Sequence, residues 1–577
     1  MIGTPDSISH AGCPCSRPVR EWRAEKEDGA PEQGPRRASC QAIHGGADRD
    51  RTDDLLNAIQ ALSQLSYSPI VGEKATPTPL RRQTDESNLR AFMHRPTRTK
   101  ILCTLGPASE SPETIRALIR EGMDCARLNF SHGDNEEYAR VIQTIREAAD
   151  ELSRPVAIIQ DLQGPKIRIG PIVGGAVELA ESDVVRITTR DGPGTRELLT
   201  TTYRELPHDV EPGDRILLDD GKLVLRVEEI EDDETVRCVV VEGGILKEKK
   251  GINLPGVMIS TPALTEKDRR DIRFGCEHEV DFIALSFVRR GQDIDALKEE
   301  IRAAGGGPQV IAKLEKPQAV ENLDDILDRA AGVMIARGDL GVELPPERVP
   351  ILQKEIIRRA NLTKRIVIVA TQMLESMTTS LRPTRAEASD VANAIFDGTD
   401  AVMLSAETAT GNHPVEAIKM MERIIVAAEV EMERSPWKPM HGVERVSDFA
   451  EAVCDAATLV AAEVNAKHIV AFTQSGATAQ LLSKYRPPAP LIALTPYPRV
   501  RNRLALSWGV TPMVMEIPVT IDRLIADLEK RLIRDRVVEE GDVVVIVCGA
   551  PLDVGGRTNL MKIHRVGDKP RLGKGRV

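Results

Sequence analysis

From Thr99 onward, short apolar runs alternate with longer runs in which apolar residues recur at helical spacing. Short apolar runs bounded by turn residues are typical of buried strands, and amphipathic runs between them are typical of helices packed on a parallel sheet. The predicted strands lie at residues 101–105, 125–130, 156–160, 282–288, 310–314, 333–336, 366–370 and 401–404. Eight strands alternating with helices predict an α/β fold with a (β/α)8 TIM barrel.

One connection interrupts this alternation. Between the third and fourth strands, about a hundred residues lack helical spacing and instead contain short or alternating apolar runs separated by turns such as Asp219-Asp220-Gly221. The predicted strands there lie at 184–188, 215–218, 223–227 and 236–241. We therefore expect an inserted all-β lid domain at 167–259, on the same face of the barrel as its active site, where it would exclude water.

A second α/β series follows a linker rich in proline after Arg434. Helices and strands alternate again, which predicts a C-terminal doubly wound α/β domain at 435–577 and leaves the barrel to 97–166 and 260–434. One of its strands is predicted at 513–517. No glycine-rich dinucleotide-binding motif and no P-loop motif occurs in the chain.

The first 96 residues have a different composition, rich in proline, glycine, arginine and serine with little periodicity. This composition predicts a disordered N-terminal extension with at most one short helix at 55–65. Met93, just before the first strand, is a candidate for the true start. Cys13 and Cys15 could bind a metal, although a chance pairing in a disordered tail is the simpler interpretation.

Composition excludes several function classes. The 577-residue chain has a formal net charge of −11 and a pI near 5.6, so no electrostatic footprint for nucleic acid is expected. No apolar run reaches the roughly 18 residues that a membrane helix needs. The nine cysteines form no zinc-type spacing with histidines, and those in apolar runs are typical of buried thiols in a reducing cytoplasm.

Charged and hydroxyl side chains follow the predicted barrel strands at their carboxyl ends, where ligands bind in such barrels. Carboxylates from neighbouring strands suit Mg²⁺, and a lysine beside them suits a phosphate. A surface ion-pair network is the structural alternative, but convergence from so many strands disfavours it. The residues concerned are Arg127, Asn129, Ser131, Asp161, Lys166, Lys313, Glu315, Gly338, Asp339, Thr371 and Ser405.

From about Thr97 to its end, the sequence resembles the pyruvate kinase family. The matching segments include TKILCTLGPAS, ARLNFSHG, KKGINLPG, KLEKPQAVENLDDIL, ARGDLGVELP, ATQMLESM, PTRAEASDVANAIFDGTDAVMLSAETATG and TQSGATA. This resemblance implies transfer of phosphate from phosphoenolpyruvate to ADP, giving pyruvate and ATP in the last step of glycolysis, by a cytoplasmic homotetramer. Two alternatives are another phosphoenolpyruvate-handling barrel enzyme and a catalytically silent, metabolite-binding paralogue.

The resemblance also implies roles for individual residues. Glu315 and Asp339 would bind Mg²⁺, for which Mn²⁺ can substitute. The catalytic and substrate-binding residues would be Lys313, Arg127, Thr371 and Ser405, together with the backbone of Gly338 and Asp339. The nucleotide-binding residues would be Asn129, His132, Arg154, Arg168 and Lys250.

The sequence departs from the family's K⁺-dependent pattern. The K⁺ ligands would match Asn129, Ser131, Asp161 and a threonine, but Leu162 stands at the fourth position and cannot coordinate a cation. Lys166 stands where the K⁺-dependent pattern has a glutamate. We expect its ammonium group to substitute for K⁺, so that activity does not require that ion.

In the C-terminal domain, hydroxyl and glycine residues precede a predicted helix, an arrangement that suits a phosphate or a simple helix cap. These residues are Thr473, Ser475, Gly476, Ala477 and Thr478. The resemblance implies an allosteric effector here. Because the loop segment Gly549-Ala550-Pro551-Leu552-Asp553 contains neither a tryptophan nor an arginine, we expect a sugar monophosphate or AMP rather than a bisphosphate.

Overall fold

The computed structural model describes residues 97–131, 133–434, 448–518, 520–552 and 558–568. Several predictions fall outside these residues: the disordered extension at 1–96 with its short helix, the pair Cys13 and Cys15, the linker after Arg434, and His132.

Eight parallel strands close into a barrel, as predicted. Around the barrel the order is β1, β16, β15, β14, β13, β12, β3 and β2. Alternate residues of each strand face opposite ways, so that Leu102 contributes to the barrel interior while Ile101 and Cys103 pack under the helices. The strands are β1 Lys100–Leu105, β2 Met123–Asn129, β3 Ala157–Asp161, β12 Phe282–Leu285, β13 Gln309–Leu314, β14 Gly332–Ala336, β15 Ile366–Ala370 and β16 Ala401–Leu404.

The barrel helices bury one apolar face against these strands. Several begin at a polar cap that satisfies a free backbone amide: Thr265 and Thr384 each form a reciprocal capping box with the acidic residue three positions later. The helices are α1 Pro112–Arg120, α2 Asn135–Glu151, α4 Glu266–Glu277, α5 Gly291–Ala303, α6 Pro317–Glu321, α7 Leu323–Arg329, α8 Arg337–Glu343, α9 Val349–Leu362, α10 Arg385–Phe396, α11 Ala406–Ala409 and α12 Pro414–Arg434. Short 3-10 turns lie at Pro346–Arg348 and Glu375–Thr378.

The insertion between β3 and β12 has its own apolar core and its own sheets. One sheet has six strands in the order β11, β7, β8, β9, β5, β6, and β10 pairs with β4. The elements are β4 Ala176–Leu179, β5 Val184–Thr188, β6 Leu198–Thr200, the helical turn α3 Leu206–Asp209, β7 Arg215–Leu218, β8 Leu223–Asp232, β9 Thr235–Glu242, β10 Gly244–Lys247 and β11 Ile252–Asn253.

The C-terminal α/β domain has a five-stranded sheet in the order β19, β18, β17, β20, β21, in which only β21 is antiparallel. Its elements are α13 Phe449–Glu463, β17 His468–Phe472, α14 Ala477–Lys484, β18 Leu491–Thr495, α15 Pro498–Leu504, β19 Val510–Val514, α16 Ile521–Arg534, β20 Val543–Cys548 and β21 Leu560–Arg565. Among the described residues, no helix is long and apolar enough to span a membrane.

One strand of this domain differs from its prediction. β19 covers Val510–Val514 rather than 513–517, since Val510 pairs with Leu491 at the start of β18. Pro512 lies inside this strand, and proline cannot donate to a sheet ladder. β19 is an edge strand, where the missing donor of Pro512 costs no hydrogen bond.

Candidate active site

The carboxyl ends of the barrel strands bring most of the predicted residues together. Lys313 lies near the end of β13 and is the central cation of the site. Its Nζ lies 2.7 Å from Glu315 Oε1 and 3.3 Å from Asp161 Oδ1, and it donates a 2.8 Å hydrogen bond to Ser286 Oγ. Burial lowers the pKa of Lys313, but the carboxylates of Asp161 and Glu315 outweigh burial and raise it. The amine therefore stays protonated and holds a fixed positive charge.

Arg127 provides a second cation beside Lys313. Its guanidinium lies 2.6 Å from Asp161 Oδ2 and donates to Thr104 Oγ1 at 3.1 Å. Burial raises the pKa of Asp161, but Lys313 and Arg127 together hold it below its usual value. A stably ionised Asp161 therefore orients two cations towards the barrel mouth.

Glu315 and Asp339 are candidate ligands for a divalent cation. Glu315 is almost fully buried, and its Oε2 accepts a 2.8 Å hydrogen bond from the Phe287 amide. Burial and the neighbouring Glu315 raise the pKa of Asp339 from 3.8 to about 6, against the opposing charges of Lys313 and Lys166. Two crowded carboxylates, one buried and one half-buried, suit an added cation, which would relieve their repulsion. Within the described ranges, no three His, Cys, Asp or Glu side chains form a complete site, so substrate or water oxygens would have to complete the coordination.

Thr371 is held close to the start of α8. The Gly338 amide donates a 2.8 Å hydrogen bond to Thr371 Oγ1, which itself donates to the Ala370 carbonyl at 2.6 Å. Thr371 and Gln372 both adopt positive φ angles, 66° and 55°, which side-chain-bearing residues rarely do. The Arg337 guanidinium donates to both of their carbonyls, at 2.8 and 3.2 Å. This tight turn aims the Thr371 hydroxyl at the helix start, and strain of this kind is common at functional sites.

Ser405 directly follows β16, which pairs with β15, the strand that Thr371 follows. Its amide donates a 2.6 Å hydrogen bond to Glu407 Oε2. Its Oγ is buried and has no hydrogen-bond partner among the described residues. Ser405 also lines a cavity together with Thr104, Arg127 and Asn129. An unpartnered hydroxyl beside that cavity can donate to a ligand.

The residues of the predicted cation-site remnant are only partly assembled. Asn129 Oδ1 accepts a 3.3 Å hydrogen bond from the Ser131 amide, whereas Leu162 is a core residue with 1% exposure. Lys166 interacts with other groups. Its side chain packs near Gly251 of the lid, and its positive charge lowers the pKa of Asp339. The structure therefore does not bring Lys166 into contact with Asn129, Ser131 and Asp161, because its side chain turns towards the lid.

The predicted nucleotide-binding residues divide into two groups. Arg168 donates to the Lys249 carbonyl at 3.2 Å, and Lys250 lies 2.8 Å from Asp219 Oδ1, so both lie where the lid joins the barrel. Arg154 does not join them, and its assignment to the nucleotide site is wrong. It precedes β3 and donates to the carbonyl of Arg120, which precedes β2. Both positions are at the amino ends of the strands, on the opposite end of the barrel from Lys313.

Ser286 is a site residue that the sequence analysis missed. It directly follows β12 and contacts the Lys313 amine, and its hydroxyl also donates to the Leu162 carbonyl at 2.8 Å. Its position after a barrel strand was the signal that could have found it, but the surrounding SFVRR segment stood out less than the lysine- and carboxylate-rich strand ends.

The predicted effector segment lines a cavity of about 660 Å³ in the C-terminal domain. Gly476, at a φ of 95°, donates its amide to Thr473 Oγ1 at 2.9 Å, and the Ala477 amide donates to Ser475 Oγ at 3.4 Å. Thr478 Oγ1 shares a 2.6 Å hydrogen bond with Thr558. The hydroxyls of Thr473 and Ser475 therefore accept from the amides at the start of α14. Thr473, Ser475, Ala477 and Thr478 all line the cavity.

Comparisons with known proteins place this architecture in one family. The family model for the pyruvate kinase barrel domain matches residues 96–418, and that for the pyruvate kinase alpha/beta domain matches residues 451–564. A pyruvate kinase of Mycobacterium intracellulare is 46% identical over 82% of this chain and 99% of its own length. One of Geobacillus stearothermophilus is 46% identical over 83% of this chain and 82% of its own length. A crystal structure of a pyruvate kinase from Cryptosporidium parvum matches with a TM-score of 0.76 and 38% identity, covering 84% of this chain and 98% of that one. The chain therefore belongs to the pyruvate kinase family of phosphotransferase enzymes.

Proposed function

We propose that this chain transfers the phosphoryl group of phosphoenolpyruvate to ADP, giving pyruvate and ATP, with Mg²⁺ or Mn²⁺ as its divalent ion. The observation that carries the proposal is the position of Lys313, a buried and permanently charged amine held between Asp161 and Glu315. Phosphoryl transfer needs little covalent chemistry from the protein, and proceeds when cations align and neutralise the moving group.

Each residue then has a distinct role. Glu315 and Asp339 would hold the ion, which would supply positive charge to the reacting oxygens. Arg127 and Lys313 bind the phosphoryl group, and Lys313 stays beside the enolate that is left. Gly338 and Asp339 offer backbone amides to the substrate carboxylate, for which Gly338 must exchange its bond to Thr371. Thr371 and Ser405 carry hydroxyls that can pass a proton to the enolate carbon through water.

The lid and the end of β2 would together supply the nucleotide contacts. Arg168 and Lys250 lie where the lid faces the barrel mouth, and Asn129 lines the cavity next to Arg127. We include His132 in this group on the resemblance alone, because it lies outside the described residues. Closure of the lid over the mouth would exclude water, which competes with ADP as the phosphoryl acceptor.

We further propose that the reaction does not require K⁺. Both oxygens of Asp161 already face the chain's own cations, Oδ2 towards Arg127 and Oδ1 towards Lys313. Leu162 offers no oxygen, so a bound K⁺ would lack two of its four expected ligands. Lys166 adds a positive charge to the site from the lid side, where its charge acts on Asp339.

Regulation and assembly complete the proposal. The C-terminal domain, residues 435–577, would bind a sugar monophosphate or AMP against Thr473, Ser475, Gly476, Ala477 and Thr478. Among the described residues that line that cavity, only Lys364 is cationic, which favours one phosphate over two. Exposed Ile351 and Leu381 and an apolar groove between α10 and α12 favour a homotetramer, as expected of the family. Light scattering of the purified chain tests this, and a monomeric mass would refute it.

One assay separates the proposed activity from its alternatives. Pyruvate formation is measured from phosphoenolpyruvate with and without ADP, and with Mg²⁺ or a chelator. A pyruvate kinase forms pyruvate only when both ADP and the ion are present. A silent paralogue forms none under any condition, and a lyase or mutase consumes phosphoenolpyruvate without ADP. Either of those results would overturn the proposal.

A further inference from the structure

A buried ion pair lies between the lid and the two candidate metal ligands. Lys316 and Glu343 contact each other directly, and their side chains are only 7% and 1% exposed. Lys316 is the residue after Glu315, and Glu343 lies four residues after Asp339 on α8, so it shares a helix face with that carboxylate. The pair is thus joined through the backbone to both carboxylates.

The lid reaches this pair through one side chain. Asn253, on the lid strand β11, donates a 2.9 Å hydrogen bond from Nδ2 to Glu343 Oε1, the same oxygen that faces Lys316. The other oxygen of Glu343, Oε2, is buried with no partner among the described residues. A buried carboxylate with so few donors depends strongly on each of them, because losing one leaves its charge poorly compensated.

The same edge of the lid lies beside α8 at one more point. Gly221, in the positive-φ turn Asp219-Asp220-Gly221, is close enough that a Cβ there would lie 3.7 Å from Val342 Cγ1, an ordinary van der Waals distance. The neighbouring Asp220 repels Asp339, so its charge does not hold the lid in place. Among the described residues, Asn253 makes the hydrogen bond that joins the lid to the buried charge of Glu343 on α8.

We propose that Glu343 and Lys316 are positioning residues, which fasten the lid through Asn253 in the orientation that presents its nucleotide contacts to the metal-binding carboxylates. The proposal rests on the proposed function, since it assigns a task within that reaction. Arg168 and Lys250 belong to the lid side of the site, whereas Lys313, Arg127 and Thr371 belong to the barrel. Loosening the lid should therefore weaken ADP binding and slow transfer, while phosphoenolpyruvate binding changes little.

The test exchanges donor and acceptor across the contact. Asn253→Ala and Glu343→Gln each weaken it, and Asn253→Asp sets two carboxylates against each other. We expect each single variant to raise the KM for ADP about tenfold, the effect of losing about 1.4 kcal/mol, and the KM for phosphoenolpyruvate less than twofold. The double variant Asn253→Asp/Glu343→Gln restores one acceptor and one donor, and should recover most of the loss. Glu231→Gln is the matched control, since Glu231 pairs with Arg186 within the lid.

A second readout follows the lid itself. Paired spin labels on the exposed residues Val173 of the lid and Leu459 of the C-terminal domain report the lid position as a distance distribution. Asn253→Ala should broaden that distribution in the ligand-free enzyme, and the double variant should narrow it again. If the wild type turns over but the single variants leave both the ADP KM and the distances unchanged, or if the double variant is additive rather than restorative, the positioning role is refuted. A wild type without turnover would instead refute the proposed function.

Discussion

Asp339→Asn should stabilise the metal-free protein. The substitution keeps the shape of the side chain and removes a negative charge from a half-buried group beside Glu315. Burial and Glu315 raise the pKa of Asp339 from 3.8 to about 6. Since each pH unit is worth about 1.36 kcal/mol, ionised Asp339 costs the folded chain up to about 3 kcal/mol at neutral pH. Relaxation around the site reduces this, so we expect a gain of about 1–3 kcal/mol in the free energy of unfolding.

The pH dependence gives the sharper expectation. A carboxyl whose folded pKa exceeds its unfolded pKa binds a proton more tightly in the folded chain. The cost of ionised Asp339 is therefore absent below about pH 4, grows between about pH 4 and 6, and is complete near pH 7. The stability gained by Asp339→Asn should follow the same course and vanish at the acid end.

Urea denaturation in the presence of a chelator measures this difference, with Asp191→Asn as the control because Asp191 is exposed on the lid. Added Mg²⁺ should then stabilise the wild type and have a much smaller effect on Asp339→Asn, since the ion binds the carboxylate that the variant lacks. Equal or lower stability of Asp339→Asn at pH 7.5, or a gain independent of pH, would refute the account of Asp339 as a strained metal ligand.

Three further predictions concern the surrounding residues. The wild-type rate should be unchanged when K⁺ replaces a bulky organic cation at constant ionic strength, and Lys166→Met should lower kcat; a several-fold activation of the wild type by K⁺ would contradict both. Lys250→Ala should raise the KM for ADP about tenfold, the cost of one charged contact, whereas Arg154→Gln should leave it unchanged, because Arg154 lies at the other end of the barrel. Ser475→Ala should weaken binding of a sugar monophosphate or AMP in calorimetry, and a wild type that gives no binding heat would reduce this segment to a helix cap.

The order of the strands let the sequence predict which side chains lie close together at the barrel mouth. Lys313 lies in β13, Glu315 follows it, and Asp339 follows β14, a neighbour of β13 both in sequence and in space, so counting strands was enough to place the three together. Arg127 and Asp161 lie side by side because β2 and β3 are also adjacent, and only β12 separates β3 from β13 in the barrel. The order of strands thus determines which groups can meet.

Other features depend on geometry that a linear pattern does not contain. Arg154 is close in sequence to Asp161, but it lies on the other side of β3, and one strand length separates the two ends of the barrel. The side chain of Lys166 can turn towards Asp161 or towards the lid, and only the packing against Gly251 shows the second direction. The contact between Asn253 and Glu343 joins residues ninety positions apart, and no periodicity indicates it.

Rapid-quench measurement of phosphoryl transfer in Lys313→Met tests the central claim most directly. Lys419→Met is the matched control, because Lys419 forms an exposed pair with Glu416 on α12. With saturating Mg²⁺, phosphoenolpyruvate and ADP, the wild type and Lys419→Met should form ATP and pyruvate in equal amounts and at the same rate. Lys313→Met should fold normally and transfer the phosphoryl group at least about a hundredfold more slowly, as expected when a group stabilising the transition state is lost. Transfer by folded Lys313→Met at the wild-type rate would contradict the account.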